Sequence, residues 1–462
     1  MSTPTAQTPV DYDTEFPQHE KNTPADEESY SMDEKKEQTP PYAEDVFGDE
    51  ENAEVKYKVL KWWQCGCLMV AETVSLGVLS LPAAVAGLGL VPAVIILVAL
   101  GLLATYTGYV IGQMKWRYPH IANFSDAGEV LFGRVGREVL AVAQMLFFIF
   151  VMASHILTFT IAMNTITGHA TCSIVFGVVG MVVSFLLSLP RTLEKVSWLS
   201  LVSFISIVTA VLITMIGVGV SHPGEKVEAV VDTDLYHGFT AVTNIVFAFC
   251  GHAAFFGLAA ELKDPRDYPK ALMLLQGTDI SLYLIAAVVI YRYGGADVAS
   301  PALGSASPVV SKVAYGIALP TIIIAGVIYG HVAFKYVYLR IFSGTDRMHK
   351  RDWVSIGSWV GIALGLWVLA WIIAEAIPVF SNLLSLITAL FASWFTYGLS
   401  PIFWLYMNKG LWFSSPRKIF LTFFNLGIFG IGVTLCGMGL WVSGKALHDN
   451  PSSASFSCAN NA

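Results

Sequence analysis

Eleven predominantly apolar stretches follow one another along the chain from Trp62 onward: 62–85, 89–112, 139–164, 172–189, 196–219, 238–260, 271–291, 313–334, 354–377, 381–406 and 418–443. Each approaches the ~20 residues a helix needs to cross a bilayer. The pattern predicts an all-α polytopic membrane protein with 11 transmembrane helices. The narrowest separations are Gly87-Leu88-Gly89, between spans 1 and 2, and Pro378, between spans 9 and 10. Residues 1–54 have few aliphatic side chains and many Pro, Ser, Thr, Asp and Glu. Such a segment buries too little apolar surface to offset its conformational entropy, so disorder is expected there. No apolar stretch precedes Trp62, so the first span is expected to act as its own insertion signal.

Composition agrees. Of 462 residues, 55% are hydrophobic and only 13% charged, about half the share usual in a soluble domain. Six cysteines make no disulfide scaffold, and a net charge of −7 argues against a nucleic-acid partner. Charge is unevenly spread: residues 1–61 hold 16 acids and six lysines, whereas 62–462 hold 18 acids and 21 bases. With the N-terminus in the cytoplasm, 23 of the 27 Lys and Arg fall inside, leaving Lys226, Arg292, Lys312 and Lys445 outside, as positive-inside topology demands. The expected organisation is a disordered acidic cytoplasmic tail, 1–61, a transporter domain, 62–443, and an extracellular tail, 444–462. The sequon Asn123-Phe124-Ser125 then lies in a cytoplasmic loop. Of the cysteines, only Cys172 and Cys458 face the oxidising side; a disulfide between them and a pair of free thiols are both open readings. No metal-ligand set is visible. The tail offers Ser/Thr phosphorylation sites and Lys21, Lys35 and Lys36 as ubiquitin acceptors, against a plain solvated extension.

Interrupted helices are a good pointer to a transport site, because unpaired backbone at membrane depth is tolerated only where it lines a cavity. Two spans look interrupted. Span 1 reads Ala71-Glu72-Thr73-Val74-Ser75-Leu76-Gly77-Val78-Leu79-Ser80-Leu81-Pro82. Span 6 reads Phe247-Ala248-Phe249-Cys250-Gly251-His252-Ala253-Ala254-Phe255-Phe256-Gly257. Breaks five spans apart are what two inverted five-helix repeats give, about 62–219 and 238–406, with helix 11 (418–443) added. Intramembrane charge is costly and calls for a partner or a role. Glu72 reads either as a coupling carboxylate or as a neutral hydrogen-bonded glutamate. His252 stands in the span 6 break; His155 and His331 read as interhelix partners, Asp279 and Glu375 as structural or vestibular.

Four stretches carry a family resemblance: Gly77-Val78-Leu79-Ser80-Leu81-Pro82-Ala83; Tyr118-Pro119-His120 with Phe132-Gly133-Arg134-Val135-Gly136-Arg137; Glu261-Leu262-Lys263-Asp264-Pro265-Arg266-Asp267-Tyr268-Pro269-Lys270-Ala271; and Ile377-Pro378-Val379-Phe380. On these the chain resembles the amino acid/auxin permease family over about residues 60–443, and within it the filamentous-fungal neutral amino acid permeases of the methyltryptophan-resistance type. The resemblance implies a five-plus-five inverted-repeat (LeuT/APC-like) fold plus one helix. It also implies proton-coupled uptake of neutral aliphatic and aromatic amino acids at a plasma membrane.

The expected site places the substrate carboxylate on backbone N–H groups around Ser75, Leu76 and Gly77 and the ammonium on carbonyls near Phe247, Ala248 and Cys250. Thr73, Val78, Phe249, Gly251 and Tyr329 complete the expected substrate-binding set. Glu72 and His252 are the ion-coupling candidates. No cofactor is expected beyond a coupling ion, H⁺ before Na⁺. The rival reading is an amino-acid sensor with little net transport. An enzyme finds no support, since no HExxH, Gly-x-Ser-x-Gly or paired-carboxylate motif appears.

Overall fold

The computed structural model describes residues 47, 56–191, 193–221, 227–342, 345, 352–449 and 455–461. The expectations for residues 1–46, including the regulatory lysines, lie outside the described residues. Among those described, ten helical segments are long and apolar enough to cross a membrane. They are built from α1 (Trp62–Leu88), α2 (Leu90–Arg117), α3 (Phe124–Thr167), α5 (Leu193–Ser221), the pair α6 (Leu235–Ala248) and α7 (His252–Ala260), α8 (Tyr268–Gly294), α9 (Pro308–Phe342), α10 (Trp353–Ala376), α11 and α12 (Phe380–Ile387 and Leu399–Met407, joined by a π-helical Thr388–Gly398), and α13 (Pro416–Asp449).

The fourth expected span is shorter than its hydropathy suggested. α4 runs only over Ser173–Leu187, 15 residues, or about 22 Å of helix. Ser188 closes it by donating its N–H to the Ser184 and Phe185 carbonyls at 3.1 and 3.0 Å, and Pro190 bars continuation. α3 is longer than expected, because the loop before the span is itself helical and joins it through a kink at Gly133, where φ is 65°. α1 and α2 are separated by Gly89 alone. Its φ of 88° and the approach of the Val230 backbone, 2.6 Å from where a Cβ would stand, leave room only for glycine.

α1 is the central element. Of its most apolar 18-residue window, 94% is buried inside protein, against 33% for α2 and 28% for α13. It packs against α5, α6, α8 and α9. Small residues allow this proximity: a Cβ on Gly77 would stand 2.9 Å from both the Ala248 Cα and the Tyr283 hydroxyl.

Residues 455–461 lie across the ends of three helices, the third reached by Asn164 of α3, which donates to the Asn461 side-chain oxygen at 2.7 Å. The Phe456 N–H donates to the Glu375 carbonyl at 3.1 Å, Ser455 to the Ala376 carbonyl at 2.9 Å, and Ser173 to the Ala459 carbonyl at 2.6 Å. Cys172 and Cys458 are joined in a disulfide.

Candidate substrate site and its closures

The two spans expected to break behave differently. Span 6 is interrupted: α6 ends at Ala248 and α7 begins at His252, with Phe249, Cys250 and Gly251 between them. Span 1 is not. α1 is helical through Thr73, Ser75, Gly77 and Pro82, so the expected break there is corrected. Two of its hydroxyl side chains turn back onto their own helix. Thr73 donates to the Met69 carbonyl at 3.0 Å, and Ser80 to the Gly77 carbonyl at 3.0 Å. The cluster of small and polar residues serves close packing rather than unwinding. Accordingly the N–H groups of Ser75, Leu76 and Gly77 are consumed by the helix, and cannot receive a carboxylate in this state.

The released backbone of span 6 is satisfied partly by its own turn, where Phe249 and Cys250 donate to the Val246 and Phe247 carbonyls at 3.1 Å each, and partly from a neighbouring helix. The Tyr283 hydroxyl of α8 donates to the Ala248 carbonyl at 3.0 Å. Gln144 of α3 donates to the Ala253 carbonyl at 2.6 Å. His252 turns toward α2, its Nε2 lying 3.0 Å from both the Ala104 carbonyl and the Thr107 hydroxyl.

Beside this break lies a cavity of about 10 Å³, room for about one water. α1 contributes Glu72, Thr73 and Leu76; α3 contributes Val151 and His155; the span 6 break contributes Phe247 and Cys250; α9 contributes Tyr329. Glu72 is 2% exposed, and its carboxyl faces the Tyr329 hydroxyl without a well-formed hydrogen bond to either oxygen. His155 is pinned by its Nδ1, which donates to the Ile322 carbonyl at 2.8 Å, and stacks obliquely near Tyr329 at 6.3 Å. The rest of the lining is apolar.

Six of the expected site residues thus meet here: Glu72, Thr73, Leu76, Phe247, Cys250 and Tyr329. The others support from behind. Ser75 reaches the Thr321 carbonyl of α9 at 3.4 Å. Gly77 abuts Ala248, and Gly251 abuts Thr73, whose Cγ2 would stand 2.6 Å from an added Cβ. Val78 is core, and Phe249 packs on the Tyr283 ring at 5.4 Å. His252 is buried against α2, outside the lining. Val151 was missed by sequence reasoning, since a valine in an apolar span carries no signal. His155 was visible as a polar residue, but not as a lining one.

Toward the N-terminal face the cavity is followed by a dense polar seal. The chain before α1 bridges the end of α7: the Leu60 N–H donates to the Glu261 carbonyl at 3.0 Å, and Lys263 returns the bond at 2.9 Å. Glu261 forms a buried ion pair with Lys335 of α9. The Lys335 ammonium lies 4.9 Å from the Tyr57 ring centroid, and the Arg191 guanidinium 4.6 Å from that of Tyr338. Tyr57 is 1% exposed. Burial pushes its hydroxyl above its usual range, against the opposing pull of Arg191.

Sequence comparison decides the family. Residues 58–444 match the family described as transmembrane amino acid transporter protein. The chain belongs to that family. A relative from Neurospora crassa, the N amino acid transport system protein, is 38% identical over 419 residues, 87% of this chain and 89% of its own. Amino acid transporter AVT1H of Arabidopsis thaliana is 28% identical over 404 residues, 82% of this chain and 88% of its own. Two solved structures share the fold. MhsT, in complex with L-phenylalanine, gives a TM-score of 0.55 at 12% identity, covering 84% of this chain and 99% of its own. Mhp1, a nucleobase-cation-symport-1 family transporter, gives 0.53 at 15%, covering 88% and 98%. The chain is therefore an all-α amino acid transporter of the LeuT/APC-like fold, a multi-pass membrane protein and not an enzyme.

Proposed function

We propose that the chain imports neutral aliphatic and aromatic amino acids across the plasma membrane, coupled to protons, by alternating access. The observation that supports this best is the small hollow where the interrupted span 6 meets a buried carboxyl and the apolar side chains of Leu76, Val151 and Phe247. The carbonyl end of α6 carries the negative pole of its helix and suits an ammonium group; Glu72 reinforces it. The N–H groups of Gly251, His252 and Ala253 form the donor end of α7 and, with Thr73 and Tyr329, suit a carboxylate. Leu76, Val151 and Phe247 suit an uncharged side chain, and the lining holds no Lys or Arg to favour an acidic one.

A space of about 10 Å³ admits no amino acid. Binding therefore requires α1, α3, α9 and the halves of span 6 to separate. In liposomes holding the purified protein, labelled leucine and phenylalanine are expected to exchange by counterflow, and labelled lysine is not. Binding without counterflow would overturn transport in favour of a sensor.

A further inference from the structure

α8 carries three buried polar residues, Gln276, Asp279 and Tyr283, at the spacing that shares one helix face, and Asp279 and Tyr283 meet α1 at Thr73 and Gly77. Tyr283 is engaged with the Ala248 carbonyl. The other two are not engaged. Both Asp279 oxygens and the Gln276 side-chain oxygen lack hydrogen-bond partners, at 0% and 3% exposure. The Asp279 carboxyl lies beside the Thr73 hydroxyl and within electrostatic reach of Glu72. Among the described residues neither carboxyl has an ion-pair partner.

Two carboxyl groups therefore share one dry region with no positive charge, which burial permits only if each takes up a proton or a cation. A zwitterionic substrate brings one ammonium. Glu72 lines the cavity and Asp279 does not; Thr73 borders both. The ammonium can meet Glu72 and leaves Asp279 uncompensated.

We infer that Asp279, with Gln276 and Thr73, seats the coupling cation, a proton or Na⁺, leaving Glu72 to the substrate ammonium. Asp279 stands one turn from Tyr283, which holds the last carbonyl of α6. Its loading is thereby coupled to the break beside the substrate. The ionisable groups around it are Glu72 on α1, Cys250 in the break, Tyr329 on α9 beyond Glu72, and Tyr283 on its own helix. α2 contributes none at this depth, its Lys115 and Arg117 lying in the last turn, and the described side chains of α5 include no charged residue.

The inference rests on the transport reading, and one experiment separates their failures. Full-length wild type and Asp279→Asn are reconstituted in liposomes, and labelled leucine is followed in counterflow, then under an imposed proton gradient, then under a Na⁺ gradient. The expected result is wild-type accumulation under one gradient, which identifies the ion. Asp279→Asn is expected to stop at the equilibrium ratio, with its counterflow no longer dependent on the driving ion. Absence of counterflow in the wild type overturns the transport reading. Asp279→Asn still concentrating leucine, or showing counterflow with the wild-type ion dependence, overturns the role of Asp279 alone. If Asp279→Asn does not fold, Asp279→Glu replaces it. Retained accumulation with an altered dependence on the driving ion's concentration supports the seat, and an unaltered dependence overturns it.

Discussion

Span 1 and span 6 contain the same kinds of residue at membrane depth, yet only span 6 comes apart. In α1 the polar side chains are hydroxyls spaced to reach carbonyls one turn back, and Thr73 and Ser80 both do so. In span 6 the residues at the interruption are Phe249, Cys250 and Gly251, which offer no such hydroxyl. There Phe249 and Cys250 donate back to the Val246 and Phe247 carbonyls within the turn, and Tyr283 on α8 donates to the Ala248 carbonyl. A glycine in a membrane helix is thus not itself a break. What decides is whether the groups that unwinding frees find partners, within a turn or on a neighbouring helix.

The comparison can be broken first beside the tie between the two spans, at the start of α1. Lys335→Met takes the ion-pair partner from the Glu261 carboxylate at 3% side-chain exposure. Removing one partner of a buried pair costs about 3–5 kcal/mol, so a marked fall in thermal unfolding temperature is expected, together with loss of gated uptake. An unchanged melting curve would place the tie elsewhere. Next is Gly77→Leu, where the added atoms meet Ala248 and the Tyr283 hydroxyl. Overpacking of this kind costs about 1–3 kcal/mol or more. Uptake is expected to be abolished in protein that still reaches the cell surface; normal uptake would remove α1 from the site.

Tyr283→Phe tests the interruption more gently. It leaves the Ala248 carbonyl without its donor, a loss of about 1–3 kcal/mol for a buried acceptor. Counterflow should fall while Ser80→Ala remains nearly wild type, because the Gly77 carbonyl keeps its place in an intact helix. Ser80→Ala is expected to cost about 0.5–1.5 kcal/mol. Equal effects of the two substitutions on counterflow would mean that α1 also opens during transport.

Much of the fold was legible because hydropathy and loop charge report burial in lipid directly. The spans begin and end near the expected residues, and Pro378 does separate α10 from α11. What failed to show was whatever depends on neighbours. Gly77 and Ser80 look alike in sequence whether they pack or unwind. α4 is apolar across its expected length, but Pro190 and the turn at Ser188 shorten its helix. Asp279 read as structural, since nothing along the chain reveals that Thr73 and Glu72 come to stand opposite it. His252 opens the helix that follows the interruption rather than standing in it, and only packing shows it turned toward α2.

Fastening the last residues to α3, α4 and α10 gives the molecule a fixed side and a free side. The Cys172–Cys458 link and the hydrogen bonds of Ser455, Phe456, Ala459 and Asn461 couple one end of each of those helices to one strap. Neither α1 nor the halves of span 6 is held by it. Rocking that admits an amino acid therefore falls to α1 and its companions. A reporter dye on the strap would stay still through the cycle, whereas one near Phe239 at the start of α6 would travel.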